Sequence, residues 1–197
     1  MRFRLTTALM AGLLTLSGCV VLSLNPIYTD RDLVYWPELE GTWVFASDSD
    51  HRQSYCFERG DDAKEYRVIM RNGDESCVLS VHLTQIGKYT FLDATLGKSN
   101  PDHLEFAFMR PVHYFCKIEL NGDTLRMGEM DSNWVKQRHD KKRLSIAHET
   151  DESTLLTANT KRVRRFLARW ANDSDAFEDW TEMKRKSQDG AASPKSP

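Results

Sequence analysis

Long apolar runs are nearly absent from this chain. One run, residues 5–16, is shorter than the roughly 20 residues of an ordinary membrane-spanning helix, and no second run approaches that length. An excess of positive charge is also missing: 27 Lys+Arg stand against 29 Asp+Glu, for a net charge of -2. Such a balance lacks the clustered cationic face that nucleic acid needs. Cysteine is scarce, with four residues in 197. Neither the C-x₂-C nor the H-x₃-H spacing of a structural zinc site occurs. His51 lies near Cys56, Cys77 near His82, and His113 near Cys116. Their odd spacings put each pair on opposite faces of a strand, so no pair converges on one ion. The G-x-S-x-G elbow of serine hydrolases is missing. Gly97-Lys98-Ser99 imitates the end of a phosphate loop, but Leu92 stands where that loop needs glycine. Acidic pairs such as Asp61-Asp62 fall in turn-like segments and read as solvated charge. No catalytic set, metal or cofactor is expected.

What is present begins at the N-terminus. Arg2 and Arg4 precede the apolar run, and small residues follow it up to Cys19. That order is the layout of a secretory signal over residues 1–18. Leu16-Ser17-Gly18-Cys19 resembles the lipobox of bacterial lipoproteins. The resemblance implies lipidation of Cys19 as the new N-terminus, with the body held at the membrane by that lipid. Val20, rather than Asp, follows the cysteine, which resembles the outer-membrane pattern and implies a body facing the periplasm. Loss of residues 1–18 takes away Arg2 and Arg4 and moves the formal charge from -2 to -4. Cys56, Cys77 and Cys116 remain, an odd number that leaves at least one thiol unpaired within the chain.

The mature chain reads as a meander of short strands. A tether and lead-in segment spans 19–35, with Asn25-Pro26 interrupting regular structure. Strands are expected at 41–45, 54–58, 65–70, 77–86, 89–94, 103–109, 112–120 and 124–130. Asn72-Gly73 and Asn121-Gly122 are strong hairpin signals, because both residues tolerate positive φ. Cys77, Leu79, Val81 and Leu83 share one face, as do Val112, Tyr114, Cys116, Ile118 and Leu120. A short helix is expected at 131–142, then short strands at 144–148 and 153–158. Asn159 or Thr160 caps a helix with Val163, Phe166, Leu167 and Trp170 on one face. Lys161, Arg162, Arg164, Arg165 and Arg169 fill its other face, which reads as the solvated side of a docked helix. Residues 184–197 lack an apolar period and read as a disordered tail. Regular hairpins place Cys56 opposite Arg67 and Cys77 opposite Ile69. The two thiols are then two strands, about 10 Å, apart and beyond disulfide reach.

Many short strands joined by tight turns predict a mainly β fold: an antiparallel up-and-down barrel over residues 36–183 with a C-terminal amphipathic helix. Gly41-Thr42-Trp43, opening the first barrel strand, resembles the G-x-W signature of lipocalins and other calycins. That resemblance implies that Gly41 and Trp43 pack across the closed end of a lipocalin-like barrel, with a late basic residue over the indole. Arg162, Arg164 and Arg165 are the candidates. A lipocalin has its helix before a final strand, whereas here the helix is the last element the pattern reveals. A longer likeness joins Asn25-Pro26-Ile27-Tyr28-Thr29, Asp32-Leu33-Val34 and Leu39-Glu40-Gly41-Thr42-Trp43 with Leu155-Leu156-Thr157-Ala158-Asn159. These segments resemble a group of uncharacterised bacterial lipoproteins, which implies fold and location but no reaction. Trp43, Tyr55, Phe57, Tyr66, Phe91 and Tyr114 fall on strands, and their inward count decides between a filled barrel and a ligand cavity. Two functions follow: an anchored barrel holding a small apolar or amphipathic ligand, or a filled barrel acting as an envelope protein-interaction scaffold.

Overall fold

A computed structural model describes residues 20–97, 111–150 and 153–186. Eight antiparallel strands close into a barrel: β3 (Gly41–Phe45), β4 (Gln53–Arg59), β5 (Glu65–Asn72), β6 (Glu75–Ile86), β7 (Tyr89–Leu96), β8 (His113–Asn121), β9 (Thr124–Glu129) and β12 (Trp180–Arg185). The predicted barrel with a C-terminal helix is therefore the observed architecture. The last strand, however, lies beyond that helix. β12 pairs with β9 on one edge and β3 on the other, which completes the ring. Lys184 and Arg185, expected in a disordered tail, are paired strand residues. The order of helix before final strand is thus the lipocalin order after all.

Tight hairpins set the register. Asn72 pairs with Glu75 and Asn121 with Thr124, so the chain reverses at Gly73-Asp74 and Gly122-Asp123. Gly73 and Gly122 take φ of 60° and 56°, which a glycine-led two-residue turn requires. Across β4 and β5, Cys56 faces Ile69, and across β5 and β6, Cys77 faces Met70. The partner of Cys56 is two residues from the expected Arg67 because the turn after β4 is longer, with Arg59 paired to Tyr66, and the partner of Cys77 is one residue from the expected Ile69 because the next turn is Gly73-Asp74. Cys77 points inward beside Met70, Cys56 points outward, and β5 separates them. All three described thiols are free.

The lead-in segment is part of the sheet, not a tether. β1 (Val21–Ser23) pairs with the start of β8 and, in parallel, with β11 (Thr154–Leu156), which pairs with β10 (His148–Thr150). β2 (Leu33–Val34) lies against β6. β8 therefore pairs with β7 on one edge and is shared on the other, with β9 along its C-terminal part and β1 at its start. The predicted strand at 103–109, the leader, Cys19 and the tail beyond 186 lie outside the described residues.

Two apolar cores form on the two sides of the barrel wall. One fills the interior with Leu39, Trp43, Phe57, Tyr66, Leu83 and Leu125. The other lies outside, between the wall and two helices, α1 (Ser132–Asp140) and α2 (Thr160–Trp170). Side chains of Asp131 and Asn159 cap these helices, accepting the Trp134 and Arg162 backbone N–H at 2.8 and 3.1 Å. Arg138 lies 4.1 Å from the Trp134 ring and 4.0 Å from the Trp170 ring, so a stacked cation ties α1 to α2. Lys117, buried on the outer wall, donates to the Ala171 carbonyl at 2.9 Å beneath the rings of Tyr89, Phe177 and Trp180. Its ammonium thus meets the negative end of α2. Burial lowers the Lys117 pKa from its ordinary value.

Candidate functional site

Strand parity decides what each end of the barrel contains. Inward positions on β3 and β4 are Trp43 and Phe45, then Tyr55 and Phe57, with Trp43 opposite Tyr55. β12 contributes Thr181, Met183 and Arg185, with Arg185 opposite Trp43. Hence one end receives Trp43, Phe57, Tyr66 and Arg185, and the other receives Phe45, Tyr55, Met70, Tyr114 and Glu129.

The first end is closed. The turn at Pro37–Leu39 crosses it and buries Leu39. Trp43 is fully buried and donates its indole N–H to the Leu39 carbonyl at 2.8 Å. The Arg185 guanidinium stacks 4.3 Å from the Trp43 ring. It also donates to the Glu40 carbonyl at 2.7 Å, to the Glu38 carbonyl, and through Nε to Asp123 at 3.0 Å. Gly41 has φ of 124°, and a Cβ there would lie 2.8 Å from Arg185 Nη1. Glycine is needed both for that backbone angle and for room beside the guanidinium. Gly41 and Trp43 lie together at this end, and the basic residue over the indole is Arg185 rather than Arg162, Arg164 or Arg165. Arg164 instead pairs with Asp32 at 3.1 Å and donates to the carbonyls of Ile27 and Gln85 at 2.8 and 2.9 Å. It pins the lead-in segment to the barrel and does not lie on the solvated side of α2.

The second end is open. A cavity of about 500 Å³ enters it, lined by Phe45, Tyr55, Met70, Tyr114, Met127 and Glu129 among others. Small-molecule sites are commonly about 300–1,000 Å³ and largely apolar, with few polar groups. The lining here also carries Gln53, Arg71, Asn72, Thr181 and Glu182, and within it the Tyr114 hydroxyl donates to the Glu129 carboxylate at 2.7 Å. Burial raises the pKa of both Tyr114 and Tyr55, which keeps their hydroxyls as neutral donors. Cys77 and Cys116 point inward on β6 and β8, and burial raises both of their thiol pKa values. Burial of this kind disfavours the thiolate that nucleophilic attack needs. Phe91, grouped with the barrel aromatics by sequence, points outward and packs on Phe177 at 5.8 Å.

A polar cluster on the outer wall escaped the sequence reading. Asp93, 1% exposed, accepts from the Ile27 backbone N–H at 2.8 Å and faces His113 Nδ1 at 2.6 Å. Tyr28 stacks on His82 at 4.6 Å close by. Asp93 is one residue past the apolar Phe91-Leu92 pair, and only the folded strap at 25–29 reveals its partners. Asp93 and His113 are buried between strap and barrel, and their contacts fasten the two together. The sequence pairs Cys77/His82 and His113/Cys116 are split as parity requires, with thiols inward and imidazoles outward.

The fold and its two ends define the class: a closed, lipocalin-like eight-stranded barrel, plugged at one end and open at the other. Comparison with protein-family models, curated proteins and solved structures finds no match for this chain.

Proposed function

We propose that this protein is a lipid-anchored carrier of the bacterial outer membrane, binding a small apolar or amphipathic molecule in the open end of its barrel. The observation that supports the ligand is the cavity of about 500 Å³ at that end. Its lining joins aromatic and thioether side chains to polar ones, and the Tyr114–Glu129 pair among them suits a ligand that carries a small polar group. The anchor rests on Leu16-Ser17-Gly18-Cys19 and its resemblance to a lipobox. Carriage, rather than catalysis, fits an interior where burial favours the neutral thiols and where the Tyr114 hydroxyl engages the Glu129 carboxylate.

Two measurements test this. Protein extracted under mild conditions is examined by native mass spectrometry for a co-purifying ligand, and titrated with the fluorescent amphiphile N-phenyl-1-naphthylamine. The expected result is a saturable fluorescence gain that Met70→Trp abolishes by filling the cavity. A gain that survives Met70→Trp refutes the assigned site. Cys19→Ser should abolish metabolic acyl labelling, and unchanged labelling removes the anchor. A second reading has its own support: Trp43, Phe57, Tyr66 and Leu83 leave no space in the closed half. If neither a co-purifying ligand nor probe binding is found, that filled half marks a scaffold for another envelope protein.

A further inference from the structure

Helix α2 carries five cations and no acidic residue. Arg162, Arg165 and Arg169 are spaced three and four apart, so they share one exposed face. Like charges at this spacing repel along a helix. Arg138 pairs with Asp173 and Arg164 with Asp32, but none of these three arginines forms an ion pair among the described residues. Arg169 touches only the ring of Trp170, at 4.9 Å. Among the described residues, no carboxylate offsets their mutual repulsion.

The three arginines border a cleft of about 420 Å³ whose other wall is Ser145, Ile146 and Ala147, with Phe166 at its base. It combines cationic rims with an apolar floor. Its position adds a second argument. The Ala147 carbonyl accepts the N–H groups of Thr157 and Ala158, which ties the 145–147 wall to the β11 segment. β11 in turn pairs with β1, and β1 starts at Val21. Only Val20 lies between Cys19 and Val21, and the two steps span at most about 7 Å. Thr157 and Ala158 lie beyond the Ser23 end of β1, so an acyl anchor at Cys19 tethers this cleft to the membrane by about five extended residues, at most about 18 Å.

We propose that the Arg162, Arg165 and Arg169 face of α2, with the cleft beside it, docks on anionic lipid headgroups. Phosphate or another anionic group sits among the guanidinium groups, and the glyceryl and upper acyl region meets Ile146 and Phe166. The choice of lipid over other anions rests on the anchor reading above. The docking also gives the anchored barrel a defined orientation on the membrane.

The test is co-sedimentation of the full chain with two kinds of vesicle: phosphatidylcholine alone, and phosphatidylcholine mixed with phosphatidylglycerol. Preferential binding to the anionic vesicles, weakened by added salt, is expected. Arg162→Gln, Arg165→Gln and Arg169→Gln together should weaken that preference by about a hundredfold, since each surface cation contributes roughly a factor of five. The triple Arg→Lys variant keeps the charge and should keep the preference. A control losing Lys64, Arg67 and Arg126 should bind like the unaltered chain. Equal affinity for both vesicles, or equal loss in the control, overturns the proposal. Displacement by inorganic phosphate beyond that by chloride at equal ionic strength also overturns it, in favour of a free-anion pocket. These vesicle readouts use added lipid and stand apart from acyl labelling at Cys19, so the anchor and the docking face fail separately.

Discussion

Replacing Trp43 by alanine is the sharpest test of the closed end. The indole is fully buried between the Leu39 turn and the Arg185 guanidinium. Truncating a buried Phe or Trp costs about 3–5 kcal/mol through lost transfer energy and the cavity left behind. Trp43 should lie near the top of that range, because its loss also strips the Leu39 carbonyl of its donor and the guanidinium of its ring. A domain of this kind has about 5–15 kcal/mol in total, so Trp43→Ala removes a large fraction of it. Trp36 makes the comparison informative. It lies nearby, is half-buried, and its hydrogen bonds with the Tyr66 hydroxyl run through its backbone at 2.6 and 3.1 Å. Trp36→Ala keeps those bonds and should cost about 1 kcal/mol. Denaturant unfolding followed by far-ultraviolet circular dichroism measures both without relying on tryptophan emission. A double-mutant cycle with Trp43→Phe and Arg185→Gln should return a coupling of about 0.5–1 kcal/mol. If Trp43→Ala lowers the midpoint no more than Trp36→Ala does, the plug is not what holds this end shut.

Three further outcomes follow from the same geometry. Gly41→Ala forces a side chain onto φ of 124° and against Arg185, at a cost of about 1–3 kcal/mol, read as a fall in Tm of about 2–4 °C per kcal/mol; an unchanged Tm refutes the backbone argument. Asp93→Ala leaves the Ile27 N–H and His113 buried without their acceptor, so it should cost about 3–5 kcal/mol and expose the 24–32 segment to limited proteolysis; a protease-resistant variant refutes the strap's dependence on Asp93. Burial raises the pKa values of Cys116, Tyr55, Tyr66 and Tyr114 in the folded state. The unfolded chain releases these protons at the ordinary values of 9.0 and 10.0 while the folded chain retains them, so stability is intact below pH 9.0 and falls as pH rises beyond it. Denaturant midpoints that stay level from neutral pH to about pH 10.5 contradict this.

Local chemistry decided much of the barrel before any long-range contact. Alternation along β6 and β8 names the inward faces, since a strand's side chains repeat every second residue. The glycines of the two hairpins mark reversals that only positive φ permits. The 3.6-residue period of Val163, Phe166, Leu167 and Trp170 specifies the docked face of α2. Gly41 and Trp43 were legible because their demands are local: one backbone angle and one large ring. The closing strand was not. Trp180 to Arg185 presents one aliphatic-type residue, Met183, among polar neighbours, and its place is secured by backbone hydrogen bonds to both β9 and β3, which carry no side-chain signature. The one available signal was the alternation of Thr181, Met183 and Arg185. For the same reason β1 escaped notice: three residues gain their meaning from a parallel partner 133 positions away. Register across β4 and β5 depended on a turn length that no residue pattern announces. The sequence by itself determined the inward faces, the hairpins and the helix. Tertiary structure alone decided which strand closes the ring, which arginine covers Trp43, and how much of the interior stays open, because each depends on pairing between segments far apart in the chain.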